Sequence, residues 1–284
     1  MNNFSKFTKA LLATFLFFIA AVSVCHAQMD TVFVNNQKIA CSVKEITPDA
    51  IKYTYPGEDV LNSVYKNTVQ KIVFKSGRVQ TFAEATSYKT VNSVTEYDKV
   101  TITSVESEVH GLFKISDVSS KAKGTTVYSS QERVKDRAYK KMKIQAAMFG
   151  ANIIYLTNQR TEGNKYGSYF TSSSTAETNL TGIAYSNTVP DYAQFQKLIA
   201  GKNQLTAIEQ YKLGASDSDM SQDGISKPFN INTVTNENGI IIIDGDLKGE
   251  SDEHRFQVAS FNDSGFNVAY KHKGTAYNLR VSWQ

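Results

Sequence analysis

Cysteine is nearly absent from this chain. Of its two, Cys25 lies in an N-terminal apolar segment, and only Cys41 follows it. If that segment is removed on export, no intrachain disulfide can form even at an oxidising address, and stability must come from packed cores. A dominant charge is missing as well. The 31 basic residues face 27 acidic ones, a net of +4. That excludes a strong whole-protein field for nucleic acid. No hydrophobic run reaches the about 20 residues that a membrane span needs. Catalytic signatures are missing too. There is no G-x-S-x-G elbow, no H-E-x-x-H pair and no phosphate loop, and "AGKNQLT" lacks the preceding glycine and the Ser/Thr after lysine.

The N-terminal segment sets the expected compartment. Lys6 and Lys9 precede "ALLATFLFFIAAVSV", 15 apolar residues from Ala10 to Val24, followed by "CHA" and Gln28. This order is that of a cleaved signal peptide over residues 1–27, with the mature chain starting at Gln28. The alternative, a lipidated Cys25, fits less well because Val24 stands where such signals carry a small residue. Loss of Lys6 and Lys9 leaves 29 basic against 27 acidic residues, a net of +2, so the expected product is exported to the periplasm or associated with the outer membrane.

Tyrosine and phenylalanine are plentiful, at 15 and 16, as suits strands. Residues 28–85 read as five short strands, "TVFV", "KIACSVKEI", "AIKYTY", "VQKIVF" and "RVQTF", with turn residues between them. Ile39, Cys41 and Val43 alternate with polar neighbours, as do Ile51, Tyr53 and Tyr55. One face of each strand therefore points inward, and a small SH3-like barrel is expected. Cys41 on that inward face is expected to be an inert thiol.

Residues 98–188 read as a β-β-α-β-β unit. "KVTITSV" and "HGLFKISDV" are strands. Ser129 caps a helix with Glu132 three residues on, and Gly150 stops it. Val134, Ala138, Met142, Ala146 and Phe149 recur at steps of four, four, four and three, one apolar face to lay on a sheet. Arg133, Arg137, Lys140, Lys141 and Lys143 fall largely on the other side, a solvated face or a binding face. "NIIYLTN" and "AETNLTGIAYS" close the unit, with the loop "QRTEGNKYGSYFTSSS" between them. Tyr166, Tyr169 and Phe170 in that loop, beside Arg160 and Lys165, are residue types that anchor interfaces. The other reading has the loop packing its aromatics on its own domain.

The stretch "DRAYKKMKIQAAMFGANIIYLTNQRTEG", preceded by "KISDVSS" and followed by "TNLTGIAYS", resembles the outer-membrane stress-sensor lipoprotein family of the Rcs phosphorelay. It also resembles the YbjQ-like small β-β-α-β-β domains, a family labelled heavy-metal-binding. The resemblance is carried by Ala138, the pair Lys140–Lys141, Met142, Ile144, Ala146 and the Ala151–Asn152 opening of a hydrophobic strand. It covers about 75 residues and implies the fold, with a sensing role as the expectation. The sensor family braces its loops with disulfides, whereas this stretch has no cysteine. The N-terminal module likewise resembles a short β-module of exported bacterial proteins.

Residues 189–228 read as a helical linker with two helices, "PDYAQFQKLIAG" between Asp191 and Gly201 and "NQLTAIEQYKLG" between Asn203 and Gly214, followed by the flexible "ASDSDMSQDG". Residues 229–284 read as five strands in an antiparallel meander, a sandwich or barrel. The whole is of the α+β class.

Metal chemistry finds little footing. His110, His254, His272 and Cys41 are scattered, with only His254 and His272 on strands that can neighbour each other. "DGDLKGESDEHR" from Asp244 has calcium-loop spacing at its first, third and sixth positions, but Lys248 and Arg255 stand where ligands belong; "DSDMSQDG" from Asp217 lacks the glycine. No cofactor is expected. The reading is a non-catalytic envelope protein that binds a protein or cell-surface component, peripheral membrane association included, in a sensing or structural role. The alternative is an envelope enzyme or metal-handling protein. The candidate binding residues are Arg137, Lys140, Lys141, Arg160, Lys165, Tyr166, Tyr169 and Phe170.

Overall fold

The computed structural model describes residues 29–34, 37–82, 88–202, 205–250 and 252–283. The signal-peptide reading of residues 1–27, with Cys25, falls outside them. The chain is strand-rich and divides into two compact units, Met1–Ser63 with Val69–Phe82, and Val64–Thr68 with Ala83–Gln284.

The first unit is built on β1 (Asp30–Val34), β2 (Gln37–Ile46), β3 (Ala50–Thr54), β4 (Asn62–Tyr65), β5 (Val69–Val73) and β6 (Val79–Thr81). They form one six-stranded sheet in the order β4-β3-β2-β1-β5-β6. β1 lies at the centre, antiparallel to both β2 and β5. Alternation sends Val32, Cys41, Ile51 and Ile72 into full burial. Asp30 is buried among them, and its carboxylate accepts from Val43 N and Lys75 N, both at 2.8 Å. One side chain thus pins two neighbouring segments. The closed small barrel expected here is instead a row with β4 and β6 at its ends, and among the described residues no pairing joins those two strands.

The second unit opens with the expected β-β-α-β-β order: β7 (Thr101–Thr103), β8 (Phe113–Lys123), α1 (Gln131–Met148), β9 (Ile153–Glu162) and β10 (Glu177–Ser186). The sheet order is β7-β9-β10-β8, with β7 parallel to β9 and β10 antiparallel to both β9 and β8. The apolar stripe of α1 lies on this sheet. Val134, Ala138, Met142 and Ala146 are buried against Val118, Leu180, Ile154 and Ala184, and Ser120 Oγ donates to the Ala138 carbonyl across 2.7 Å. The helix cap is Ser130, whose hydroxyl accepts from Arg133 N. Ser129 is not the cap because its Oγ already accepts from Thr126 N in the preceding turn.

The rest of the unit is α2 (Tyr192–Ile199) and a closed barrel of β11 (Leu205–Leu213), β12 (Ser221–Glu237), β13 (Ile240–Leu247), β14 (Arg255–Asn262), β15 (Gly265–His272) and β16 (Thr275–Trp283). Asp191 caps α2 by accepting from Gln194 N at 2.7 Å, and Phe195 drives into the barrel core against Phe261 and Phe266. Phe229, Phe256 and Phe266 fill the lumen in edge-to-face contacts, an arrangement that suits a small barrel.

Two expectations are corrected here. Of the second helix expected between Asn203 and Gly214, the described residues 205–214 are not helical. Leu205–Leu213 is the barrel strand β11, paired with both β12 and β16. A bulge between Ala207 and Glu209 interrupts its alternation, so Leu205, Ile208 and Tyr211 recur at helix-like spacing. "ASDSDMSQDG" is no flexible linker either, since residues 214–220 turn β11 into β12, with Asp217 Oδ2 accepting from Gly214 N at 2.7 Å. Beyond these, the central and C-terminal parts fall within one compact unit.

Their junction is the far side of α1. Ile144, Met148 and Phe149 pack against Tyr211, Leu213, Ala269 and Ala276 of the barrel. Asn278 Nδ2 donates to the Met148 carbonyl at 2.6 Å, and Gln257 Nε2 to that of Phe149. Gly150 ends the helix at φ +78°, where a Cβ would stand 2.6 Å from the Ala259 carbonyl oxygen. Both the left-handed turn and the close approach require glycine there.

Candidate functional site

Arg137, Lys140, Lys141 and Lys143 of α1 have partners on neighbouring segments, whereas Arg133 and Lys135 are exposed. Lys141 is only 3% exposed, and its ammonium donates to the carbonyls of Lys121 at 3.0 Å and Ala215 at 2.7 Å. Burial holds its pKa below the ordinary lysine value, as does the neighbouring Arg137, while Asp217 opposes them. Lys140 bridges Asp219 and lies 5.5 Å from the centre of the Tyr97 ring, and its hydrogen bond to Asp219 raises its pKa. Arg137 donates to the Lys123 carbonyl at 2.9 Å. Two residues of the stripe expected as a solvated or binding face, Lys140 and Lys141, thus clasp the segment that joins β11 to β12. The reason is that α1 has two covered sides, one on its sheet and one on the barrel. Lys271 of β15 adds to the same seam, donating to Ser116 Oγ and the Asp117 carbonyl, and its burial also lowers its pKa.

The β9–β10 loop behaves in the opposite way. Its ladder continues past the named strands through the bridges Lys165–Ser174 and Ser168–Thr171, so the loop is a hairpin rather than a loose coil. Backbone bonds close it nearly to the end: Lys165 N to Ser174 O at 2.8 Å, Ser174 N to Lys165 O at 2.9 Å and Ser168 N to Thr171 O at 2.9 Å. Tyr169 and Phe170 occupy the middle of the last turn and are 96% and 90% exposed. Their rings meet edge to face, 5.1 Å apart. The reading in which these aromatics pack on their own domain fails for both.

The base of the hairpin is anchored. Asn164 Nδ2 donates to the Ser129 carbonyl at 2.8 Å, Asn164 Oδ1 accepts from Ala176 N at 2.7 Å, and Gly124 N donates to Ala176 O at 2.7 Å. These bonds hold the β8–α1 loop beside the hairpin and bring Tyr128, 82% exposed, to 6.1 Å from the ring of Tyr166, itself 68% exposed. Arg160 and Lys165 both approach Glu162, at 2.5 and 3.7 Å. Tyr128 was missed in the sequence. Its one signal there is an aromatic among the small polar residues of "KGTTVYSS".

The candidate residues thus separate. Arg160, Lys165, Tyr166, Tyr169 and Phe170 share one hairpin, whereas Lys141 belongs to an internal seam, Lys140 bridges Asp219 at its solvent-open edge, and Arg137 supports the β8–α1 loop. Among the described residues no group of three or more His, Cys, Asp or Glu is placed to hold a metal ion. His254 Nδ1 is 2.8 Å from Asp246 Oδ1, and Asp244 and Asp246 accept from Thr233 and Asn232 of β12, so the carboxylates of the calcium-like stretch have partners within the sheet. Cys41 is buried, and burial together with the neighbouring Asp30 charge pushes its thiol up to about 11. At neutral pH it is protonated and a poor nucleophile. No helix of the described residues is long and apolar enough to cross a membrane. Neither a protein-family model, nor a curated protein, nor a solved structure matches the chain.

Proposed function

We propose that this chain is an exported, non-catalytic protein of the bacterial cell envelope that docks on an envelope component through the tip of its β9–β10 hairpin. The observation that carries the reading is the pair Tyr169 and Phe170, almost fully exposed on a hairpin that is hydrogen-bonded nearly to its end and anchored at its base. Exposed aromatics on a rigid support lose little conformational freedom on binding, which makes them effective anchors. The N-terminal sheet is read as an open SH3-like module. The β-β-α-β-β part keeps its proposed kinship to the stress-sensor lipoprotein family and the YbjQ-like domains, with a sensing or structural role. Export rests on the order of charged, apolar and small residues in 1–27.

The test is co-sedimentation of the purified chain with isolated bacterial envelopes. Wild type is expected to pellet and the Tyr169→Ser/Phe170→Ser variant to stay in solution. Equal pelleting of the two would overturn the docking reading.

A further inference from the structure

Resting on that docking reading, we infer that the surface met by the tip is a lipid one, and that Tyr169 and Phe170 seat in the headgroup region of an anionic bilayer. Four features favour a bilayer over a protein groove. The tip is convex, because Tyr169 and Phe170 stand at the end of a two-stranded ribbon and are the most exposed large hydrophobic residues described. A fluid interface closes around such a wedge without needing a complementary pocket.

Backbone pairing is the second feature. An unpaired N–H or carbonyl is costly in a medium that offers no water. The rungs at Lys165–Ser174 and Ser168–Thr171 pair these groups at two levels of the ribbon, and Phe170 N donates to Ser168 Oγ at 3.3 Å within the turn itself. Pairing therefore reaches the last turn, and the groups between the two rungs suit a seat in the headgroup region, where water remains to satisfy them.

The third feature is composition. Residues 163–176 hold Tyr166, Tyr169 and Phe170 among six serines and threonines. Tyrosine, apolar in the ring and wet at the hydroxyl, is enriched at the level of lipid headgroups.

Charge is the fourth. The hairpin segment 163–176 and the neighbouring loop segment 118–131 contain Lys121, Lys123 and Lys165 and no carboxylate at all. Glu162 and Glu177 flank them at the base, where Glu162 bridges Arg160 and approaches Lys165 at 3.7 Å and Glu177 bridges Lys121. Exposed lysines on the two segments that carry the aromatics match an anionic surface, and each lysine near such a surface adds to the attraction. Tyr128 widens the same patch.

The test uses the full purified chain with protein-free vesicles of phosphatidylglycerol and phosphatidylcholine, beside vesicles of phosphatidylcholine alone. At low salt the chain is expected to sediment with the anionic vesicles. Tyr169→Ser/Phe170→Ser should weaken that binding by about tenfold or more, and Lys123→Gln or Lys165→Gln by about fivefold each. Phe170→Trp should shift its emission to the blue on anionic vesicles, read against the wild-type spectrum with its single Trp283. Equal binding to both vesicle types, or binding that the tip variant retains, would overturn the inference. So would absence of vesicle binding while envelopes still pellet the chain through its tip, which would identify a protein partner and leave the docking reading standing. If neither vesicles nor envelopes pellet the chain, both readings fall.

Discussion

The two basic regions of this chain, α1 and the pair of loops at the end of its sheet, are built from the same side chains and meet opposite ends. On α1, Lys141 is buried beneath the turn that joins β11 to β12, and Lys140 bridges Asp219 in that turn. On the loops, Lys123 and Lys165 remain exposed beside four exposed aromatics. The difference lies in what comes after each region in the chain. A barrel follows α1 and lays β11, β15 and β16 against its free side. Nothing described covers the hairpin tip. Lysine adapts to either setting, because its apolar stem covers hydrophobic surface while the ammonium finds carbonyls or water. A basic stripe therefore means little until the layers around it are known.

That contrast can be broken, most severely, at the seam. Met148 is fully buried between α1 and the barrel, so Met148→Ala should cost about 2–5 kcal/mol. Urea melts followed by circular dichroism measure this, and a cost near zero would mean that the barrel does not rest on the helix. Ala146, fully buried on the opposite face, faces the sheet. Ala146→Leu should overpack that contact and cost about 1–3 kcal/mol in the same melts.

The lysines sharpen the comparison further. Lys141→Ala should cost about 1–3 kcal/mol, because two buried carbonyls lose their donor. Lys140→Ala should cost less than about 1 kcal/mol, because its bridge to Asp219 is open to solvent. Equal losses would mean that the two lysines share one environment. pH separates them as well. The Lys141 pKa is lowered in the folded state, so the unfolded chain holds that proton to higher pH. The contribution of this group to stability rises as pH climbs from its lowered folded value toward about 10.4, the value of free lysine. Below that window the burial penalty is present in full. The wild type should therefore gain stability relative to Lys141→Met between neutral and alkaline pH, which paired melts would detect. The smallest effect on stability belongs to the tip, where Tyr169→Ser and Phe170→Ser should each change it by under about 0.5 kcal/mol.

Much of this was legible in the sequence. The β-β-α-β-β order followed from alternation, the helix steps at Val134–Phe149 and the stop at Gly150. The second buried side of α1 was also written there, as Ile144, Met148 and Phe149, but Lys140, Lys141 and Lys143 just before them read as a solvated surface. β11 was hidden for a mechanical reason. A bulge shifts alternation by one residue, and Leu205, Ile208 and Tyr211 then mimic helical spacing. Without β11 the C-terminal strands numbered five and had no closing partner. The aromatic tip was legible by residue type, since Tyr166, Tyr169 and Phe170 stand close together. Tyr128 lies far upstream, and only the Asn164–Ser129 bond and the Gly124–Ala176 rung bring its loop there. Contacts of that kind leave no periodic trace.

One measurement tests the central claim most directly, namely co-sedimentation with bacterial envelopes of two folded variants side by side, Lys140→Ala/Lys141→Met on α1 and Tyr169→Ser/Phe170→Ser at the tip. The account predicts that the helix variant pellets like wild type, at whatever cost in stability, and that the tip variant stays in solution with its stability unchanged. A tip variant that pellets while the folded helix variant does not would contradict it, and would make the basic face of α1 the docking surface after all.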